Sequence, residues 1–421
     1  MNEKELDGRL LKEIIEYFEL PDEEKQNLSK FSRLVVEENY GADKMALETL
    51  KFYEKVLNSN PKRAPKIAIC GYYGRSNLGD EAIFQAISSK ICEIAPNARL
   101  CVVNSKSPLK ILKSLSGVDL FLFGGGSLIQ NSTSNASLMY YLTIIGLASL
   151  TCNHKIMLAN GLGPIKARGL PLTLLLDVIA TKINIFDLIT VRDKKSQKFL
   201  QNLLPNRKIH ILPDLALMNI EINNANVEQS SQKFDLFKAN LPYYIYVPCS
   251  FGLKESKIDP KELANSLLAL ENHLGARVVL VVMNKKEDFE LAKTISKYIS
   301  SKKEDDERTI FCPKNASELV ALLKRAKFVI SQRYHGALLG AFSGVPTIPI
   351  SNDNKMKALS YEILQNDCKS PDILANKKHL ASYIEREILR QRKIKNEIVL
   401  KIEKQSSSAN ERVDKILNKY L

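Results

Sequence analysis

The 421-residue chain lacks most of the features that mark a secreted, membrane-spanning or metal-held protein. Its seven cysteines (Cys70, Cys92, Cys101, Cys152, Cys249, Cys312, Cys368) are odd in number and widely spaced, with no C-x-x-C pair. Several fall in apolar runs, so they read as reduced core residues of a cytoplasmic protein, and a disulfide framework or a zinc site is not expected. The first twenty residues are acidic and helical in pattern, without a basic segment leading into an apolar block, so no secretory signal is expected. The longest apolar stretch, residues 138–150, is broken by Tyr, Thr and Gly and falls short of the roughly 20 residues that span a bilayer. No basic run interleaved with aromatics and no nucleic-acid motif is present, so nucleic acid is not an expected partner.

What is present is an ordinary globular composition, 45% hydrophobic and 26% charged, on a chain long enough for two domains. The formal net charge of +14 points to acidic partners, an anionic lipid surface or a phosphorylated substrate. Simple solubilisation by surplus lysine accounts for the same number.

Residues 1–62 read as a helical accessory arm, from apolar spacings of three and four at Leu10, Leu11, Ile14, Ile15 and Phe18 and again at Leu34, Val35, Met45, Leu47, Leu50 and Tyr53. From Lys66 short apolar runs alternate with amphipathic segments. Strands are expected at 66–71, 100–103, 120–123, 155–159, 188–191 and 209–212, and helices at 80–94, 170–180 and 193–203. A polar stretch at 223–233 reads as a linker. The alternation then restarts, with strands at 243–247, 277–283, 309–312, 328–331 and 345–350 and helices at 260–273, 286–299 and 316–324, and with a charged loop at 300–307. The βαβα pattern predicts an α/β fold of two Rossmann-like domains, 63–222 and 234–375, facing across a cleft in the GT-B manner. Residues 376–421 read as a basic amphipathic helical tail, Leu380, Ile384, Ile388, Ile394, Ile398 and Ile402 recurring among Arg386, Arg390, Arg392, Lys393 and Lys395. The apolar side fits packing on the body or docking on an anionic membrane.

Chemistry gathers at strand ends. In Phe328-Val-Ile-Ser-Gln-Arg-Tyr-His-Gly-Ala337 an apolar run ends at Ser331, and Arg333 and His335 follow two apart before a helix at 337–342. Arg333 offers a planar fork for phosphate or carboxylate, and His335 a proton that moves near neutral pH. Lys355 and Lys357 form a second basic cluster beyond the next strand. Gly71-Tyr-Tyr-Gly-Arg-Ser-Asn-Leu-Gly-Asp-Glu81 opens a helix after a strand, with glycines at 71, 74 and 79 that do not fit the dinucleotide fingerprint. Asn77 and Asp80 suit helix capping. Asp80 and Glu81 also suit proton abstraction from a sugar hydroxyl, with Asn77 and Gly79 shaping the acceptor loop. Phe123-Gly-Gly-Gly-Ser127 places Gly125, Gly126 and Ser127 where their N–H groups could meet an anion or a sugar. Arg192 closes a strand in Val191-Arg-Asp193, with Asp193 or Asp187 as a structural partner, and Asp214 ends another in Pro213-Asp-Leu-Ala216.

Together these motifs resemble, in order and over residues 66–370, the polysaccharide pyruvyl transferase family, in particular its bacterial branch acting on cell-wall and capsule glycans. The resemblance implies phosphoenolpyruvate as donor substrate and no cofactor. Pyruvate would be transferred as a ketal onto a sugar of a cell-surface glycan or its lipid-linked precursor, with release of phosphate. It matches the family's essential His to His335, its partner Arg to Arg333, a donor-binding Arg to Arg192 and a Lys to Lys355. Two departures stand out: Gln332 where the family often has Asp, and Asn352-Asp-Asn-Lys355 where it often has Tyr-Asp-Pro-Lys. No metal is expected. Peripheral contact with the inner face of the plasma membrane is expected, and the oligomeric state is not fixed. Two other readings stay open at this point, a nucleotide-sugar transferase of GT-B type, sialyltransferase-like, and a non-catalytic glycan binder.

Overall fold

A computed structural model describes residues 15–59, 63–132, 134–167, 169–218, 241–300 and 310–421. The first part of the arm's apolar pattern, the 223–233 linker and the 301–307 part of the charged loop lie outside the described residues. The chain separates into two compact units after Arg63. The first holds helices α1 (Asp22–Tyr40) and α2 (Ala42–Ser59).

The second unit carries two parallel sheets. The first is built from β1 (Lys66–Cys70), β2 (Arg99–Val102), β3 (Val118–Gly124), β4 (Cys152–Asn160), β5 (Leu188–Val191) and β6 (Ile209–Ile211), in the order β2-β1-β3-β4-β5-β6. The second is built from β7 (Tyr243–Val247), β8 (Arg277–Val281), β9 (Ile310–Phe311), β10 (Val329–Ser331) and β11 (Thr347–Pro349), in the order β11-β10-β7-β8-β9. Helices cover both faces, so central strands such as β7 are buried along their whole length and read as unbroken apolar runs rather than alternations.

The connecting helices are α3 (Leu78–Ile94), α4 (Pro108–Leu115), α5 (Asn135–Thr151), α6 (Leu172–Ile183) and α7 (Lys194–Leu203) in the first half. In the second they are α8 (Ser250–Glu255), α9 (Pro260–Leu274), α10 (Lys285–Ser300), α11 (Ala316–Arg325), α12 (Tyr334–Phe342) and α13 (Asn354–Leu359). Local chemistry sets their ends. Asn77, Asp193, Asp259 and Asn315 each accept a backbone N–H at a helix start. Gly275, at φ +58°, closes α9 in the left-handed conformation.

The two halves share one apolar core. Ile83, Ile87 and Ile91 of α3 belong to the same cluster as Leu319, Val320 and Leu323 of α11. Of the two readings open for residues 376–421, the structure shows packing on the body. Helix α14 (Lys377–Lys393) packs on the second half, burying Leu380 and Ile384. Helix α15 (Lys395–Tyr420) crosses back to the first half, where Ala409, Val413 and Leu417 enter the shared core. Polar contacts fix it there: Lys90 Nζ lies 3.0 Å from Asp414, and Ser406 Oγ donates to the Leu217 carbonyl at 2.8 Å. The apolar stripe of 376–421 is therefore buried in protein and is not a membrane-facing surface. The cysteines are all free thiols. Cys70 and Cys152 are buried, but Cys92 is exposed rather than a core residue.

Because α15 straps the halves together, truncating its buried side chains is expected to weaken the whole unit. Leu417→Ala should cost about 2–5 kcal/mol in urea-induced unfolding. Leu400→Ala, on the exposed side of the same helix, should stay within about 0.5 kcal/mol of wild type. Equal effects would mean that α15 does not bridge the halves.

Candidate active site

In open α/β sheets the strand order reverses at one point, and ligands bind beyond the strand ends there. The first sheet reverses between β1 and β3, the second between β7 and β10. The loops that leave β1, β3 and β10 carry three of the motifs read from the sequence, and Arg192, Asp214 and Lys355 follow β5, β6 and β11. The backbone joins the two halves beside them. Leu78 N donates to the Met283 carbonyl at 2.8 Å, Lys285 N to the Ser76 carbonyl at 3.3 Å, and Asn77 and Asn284 form an antiparallel bridge.

His335 stands in the first turn of α12, which begins at Tyr334, earlier than the helix expected at 337. Its ring lies directly on the first turn of α3: a Cβ on Gly79 would come within 1.9 Å of Nδ1. Only glycine admits the imidazole at that approach. Nε2 of His335 is buried without a hydrogen-bond partner among the described residues, 3.6 Å from Asp214 Oδ2, an ion-pair distance. The same Asp214 oxygen accepts a hydrogen bond from Arg192 Nη1 at 3.0 Å. Arg192 Nη2 donates to Ser127 Oγ at 3.3 Å, and its guanidinium lies 4.3 Å from the centre of the Tyr334 ring. Gly126 completes the ring of contacts, because a Cβ there would meet Asp80 at 2.9 Å. Asp80, Gly79, Ser127, Gly126, Arg192 and Asp214 from the first half thus surround His335 and Tyr334 from the second.

The two buried carboxylates differ in charge state. Burial lifts Asp80 to about 6, opposed in part by His335, Lys355 and Arg192. Burial acts on Asp214 in the same sense, but His335, Arg192 and the Ala216 N–H together hold it well below the usual carboxylate range. Asp214 is a fixed anion, and Asp80 gains or loses a proton near neutral pH. Carboxylates pushed apart in this way are suited to separate acid–base duties.

Beside this cluster lies a pocket of about 160 Å³, lined among others by Arg192, Lys194, Asp214, Tyr334, Lys355 and Glu362. The four cationic or proton-bearing donor residues expected from the sequence do not all share it. Arg192 and Lys355 line it, and His335 adjoins it through Asp214. Arg333 does not. Its guanidinium is held by Asp288 at 2.9 and 2.8 Å and by Glu287 at 2.8 Å, so its fork is engaged by carboxylates of α10. Glu81 also departs from its expected role. Its Oε1 accepts from Gly74 N at 2.6 Å and Arg75 N at 3.3 Å and clips the preceding loop. Asn77 caps α3 through Gly79 N at 3.3 Å. Gly125 gives its N–H to the Leu158 carbonyl at 2.8 Å, so that donor does not face an anion. Gln332 accepts from Tyr246 Oη at 2.7 Å and Cys249 N at 3.1 Å, setting the loop after β7.

Asp214 was visible as a strand-end carboxylate, but nothing in its neighbours marked it as the shared partner of Arg192 and His335. Nothing in the sequence marks Lys194 or Glu362 as site residues. Tyr334 sits between two chemical residues in sequence, and that adjacency was its only signal. Among the described residues no group of three His, Cys, Asp or Glu side chains could hold a metal ion.

The fold is shared with several solved structures. A structure of Anabaena Alr3699/HepE in complex with UDP and glucose aligns with 84% of this chain and 100% of its own, at TM-score 0.52 and 10% identity. A glycosyltransferase from Rickettsia africae aligns over 85% and 98%, at TM-score 0.52 and 14% identity. A putative UDP-N-acetylglucosamine 2-epimerase from Listeria monocytogenes aligns over 80% and 90%, at TM-score 0.51 and 11% identity. These likenesses define the class, a two-domain GT-B-like α/β protein. The sequence model of the family described as "Polysaccharide pyruvyl transferase" matches residues 77–354, well over half of the chain, and the protein belongs to that family. No curated protein sequence matches it.

The two carboxylates have opposite stability signatures. Asp80 holds its proton more tightly folded than unfolded, so its contribution falls as pH rises from its ordinary 3.8 through about 6. Asp80→Asn is expected to stabilise the fold by on the order of 2 kcal/mol at pH 8, and the gain should vanish below about pH 4. Asp214, with its folded value depressed, stabilises above the ordinary carboxylate range, and that contribution is lost as pH falls below it. Asp214→Asn should therefore destabilise most at neutral pH. Chemical denaturation of both variants at pH 4 and pH 8 measures this; a destabilised Asp80→Asn at pH 8 would contradict the assignment.

Proposed function

We propose that the protein transfers pyruvate from phosphoenolpyruvate onto two hydroxyls of one sugar as a ketal, releasing phosphate, on a glycan or its lipid-diphosphate-linked precursor. Family membership supports the pyruvyl transfer. The observation that carries the donor and the chemistry is the His335 cluster: a buried imidazole with a bare Nε2, set between a titrating and a fixed carboxylate, beside a pocket bearing Arg192, Lys194 and Lys355.

The donor carries a phosphate and a carboxylate, and Arg192 and Lys355 suit these groups. His335 delivers a proton to the methylene carbon, which becomes a methyl group, and positive charge builds at the neighbouring carbon. The first sugar hydroxyl attacks that carbon and gives its proton to Asp80, whose raised value makes it a base near pH 7. The C–O bond to phosphate breaks as Asp80 passes its proton to the departing phosphate, and the second hydroxyl closes the ketal, giving its proton back to His335. Asp214 stays ionised throughout, fixes Arg192 and stands 3.6 Å from His335 Nε2. Arg333 is assigned a positioning role, holding α10 against the start of α12 through Asp288. No cofactor takes part.

Phosphate release from phosphoenolpyruvate, measured with a panel of sugar acceptors and with product mass, tests the reading. His335→Gln is expected to lose about 10²–10⁴-fold in kcat. Arg192→Met should raise the KM for phosphoenolpyruvate, and kcat/KM should climb through an apparent pKa near 6 that Asp80→Asn abolishes. Normal turnover in His335→Gln would overturn its role. Turnover of a nucleotide sugar with none of phosphoenolpyruvate would overturn the donor.

A further inference from the structure

Helices α4, α5 and α6 cover one face of the first sheet, and α5 touches both neighbours. Each shows apolar side chains to solvent near its start. α4 exposes Leu109 and Leu112, at 79% and 37%; α5 exposes Met139; Leu172 and Leu174 of α6, with Leu170 just before it, are exposed too. A single exposed leucine needs no explanation, but five large apolar residues on three adjoining helices and a sixth just before one of them do. Helix starts follow strand ends in parallel α/β units, so these residues line the same edge of the sheet as the β3 and β4 loops at the active site.

The charges around them are predominantly of one sign. Lys106, Lys110, Lys113 and Lys166 are exposed on the same segments. Across residues 106–117, 134–151 and 161–183 the only acid is Asp177, in the middle of α6. A second copy of the chain would set these lysines against their own equivalents in a two-fold contact, which like charge opposes. An anionic lipid surface complements both the charge and the apolar side chains. The basic C-terminal helices cannot supply this contact through their apolar sides, which are buried.

We propose that this rim seats the protein on an anionic bilayer, the six apolar side chains entering the headgroup boundary and the four lysines meeting lipid phosphates. Its use rests on the reading of a lipid-linked acceptor, because the seat would hold the cleft edge of the first half against the membrane.

Flotation with vesicles of phosphatidylglycerol and phosphatidylcholine, against phosphatidylcholine alone, tests it. Wild type should float with the anionic vesicles and release as salt rises. Leu172→Glu/Leu174→Glu and Lys110→Glu/Lys113→Glu should each weaken binding about tenfold or more, with unchanged melting temperature and unchanged phosphate release on a water-soluble acceptor. Leu150→Glu, 79% exposed at the far end of α5, should float as wild type. Failure of wild type to float, flotation of the leucine double variant as wild type, or a dimer that this variant dissolves would overturn the proposal. Should flotation follow the expected pattern while no acceptor yields phosphate from phosphoenolpyruvate, the rim stands and the proposed reaction fails.

Discussion

The site depends on one carboxylate shared between two cationic partners. Asp214 emerges at the end of the first sheet's last strand, bonds the Arg192 guanidinium and stands against His335 from the other half. A buried carboxylate cannot stay charged unaided, and a buried guanidinium is equally costly alone. Each therefore fixes the other, and together they present His335 and Tyr334 to the cleft. Asp80 on the opposite side has no such direct partner among the described residues, and burial lifts its proton affinity. The division of labour between the two acids follows from that difference in surroundings.

For such an arrangement to persist, two domains must keep a fixed distance. The backbone pairing of residues 76–78 with 283–285 does this at the cleft, and helix α15 does it behind, by returning to the first half after the second is complete. A hinge of the kind that lets two-domain enzymes close is opposed here by a shared apolar core. Gly79 and Gly126 show how tightly the parts meet, since a single added carbon at either would press on His335 or Asp80.

The outer surface divides unevenly. The C-terminal helices are basic, but their apolar stripes are consumed in the body. The first half instead leaves apolar side chains bare at the edge of its cleft, among lysines. At that edge exposed apolar side chains from three adjoining segments stand among lysines.

The alternation of strands and helices, the two Rossmann-like halves and the strand-end location of the chemistry were legible in the sequence, because parallel strands buried on both faces must be continuous apolar runs and because turns must follow them. Strands β5 and β7 lie at the expected residues for that reason. Gly79, Asp80, Ser127, Arg192, His335 and Lys355 were legible as candidates, since each stands at a strand end or helix start. Which of them meet was not. Arg333 and Arg192 look alike in sequence, yet α10 brings two carboxylates to the first, while Asp214 and Tyr334 hold the second at the pocket. Glu81 and Asp80 are adjacent, yet a helix turns neighbours about 100° apart, so one clips a loop and the other is buried against the site. The order of residues determined the elements and the chemical groups at their ends. The packing of one half on the other decided which charges are paired, which carboxyl holds its proton and which surface is left bare, because those depend on neighbours far away along the chain.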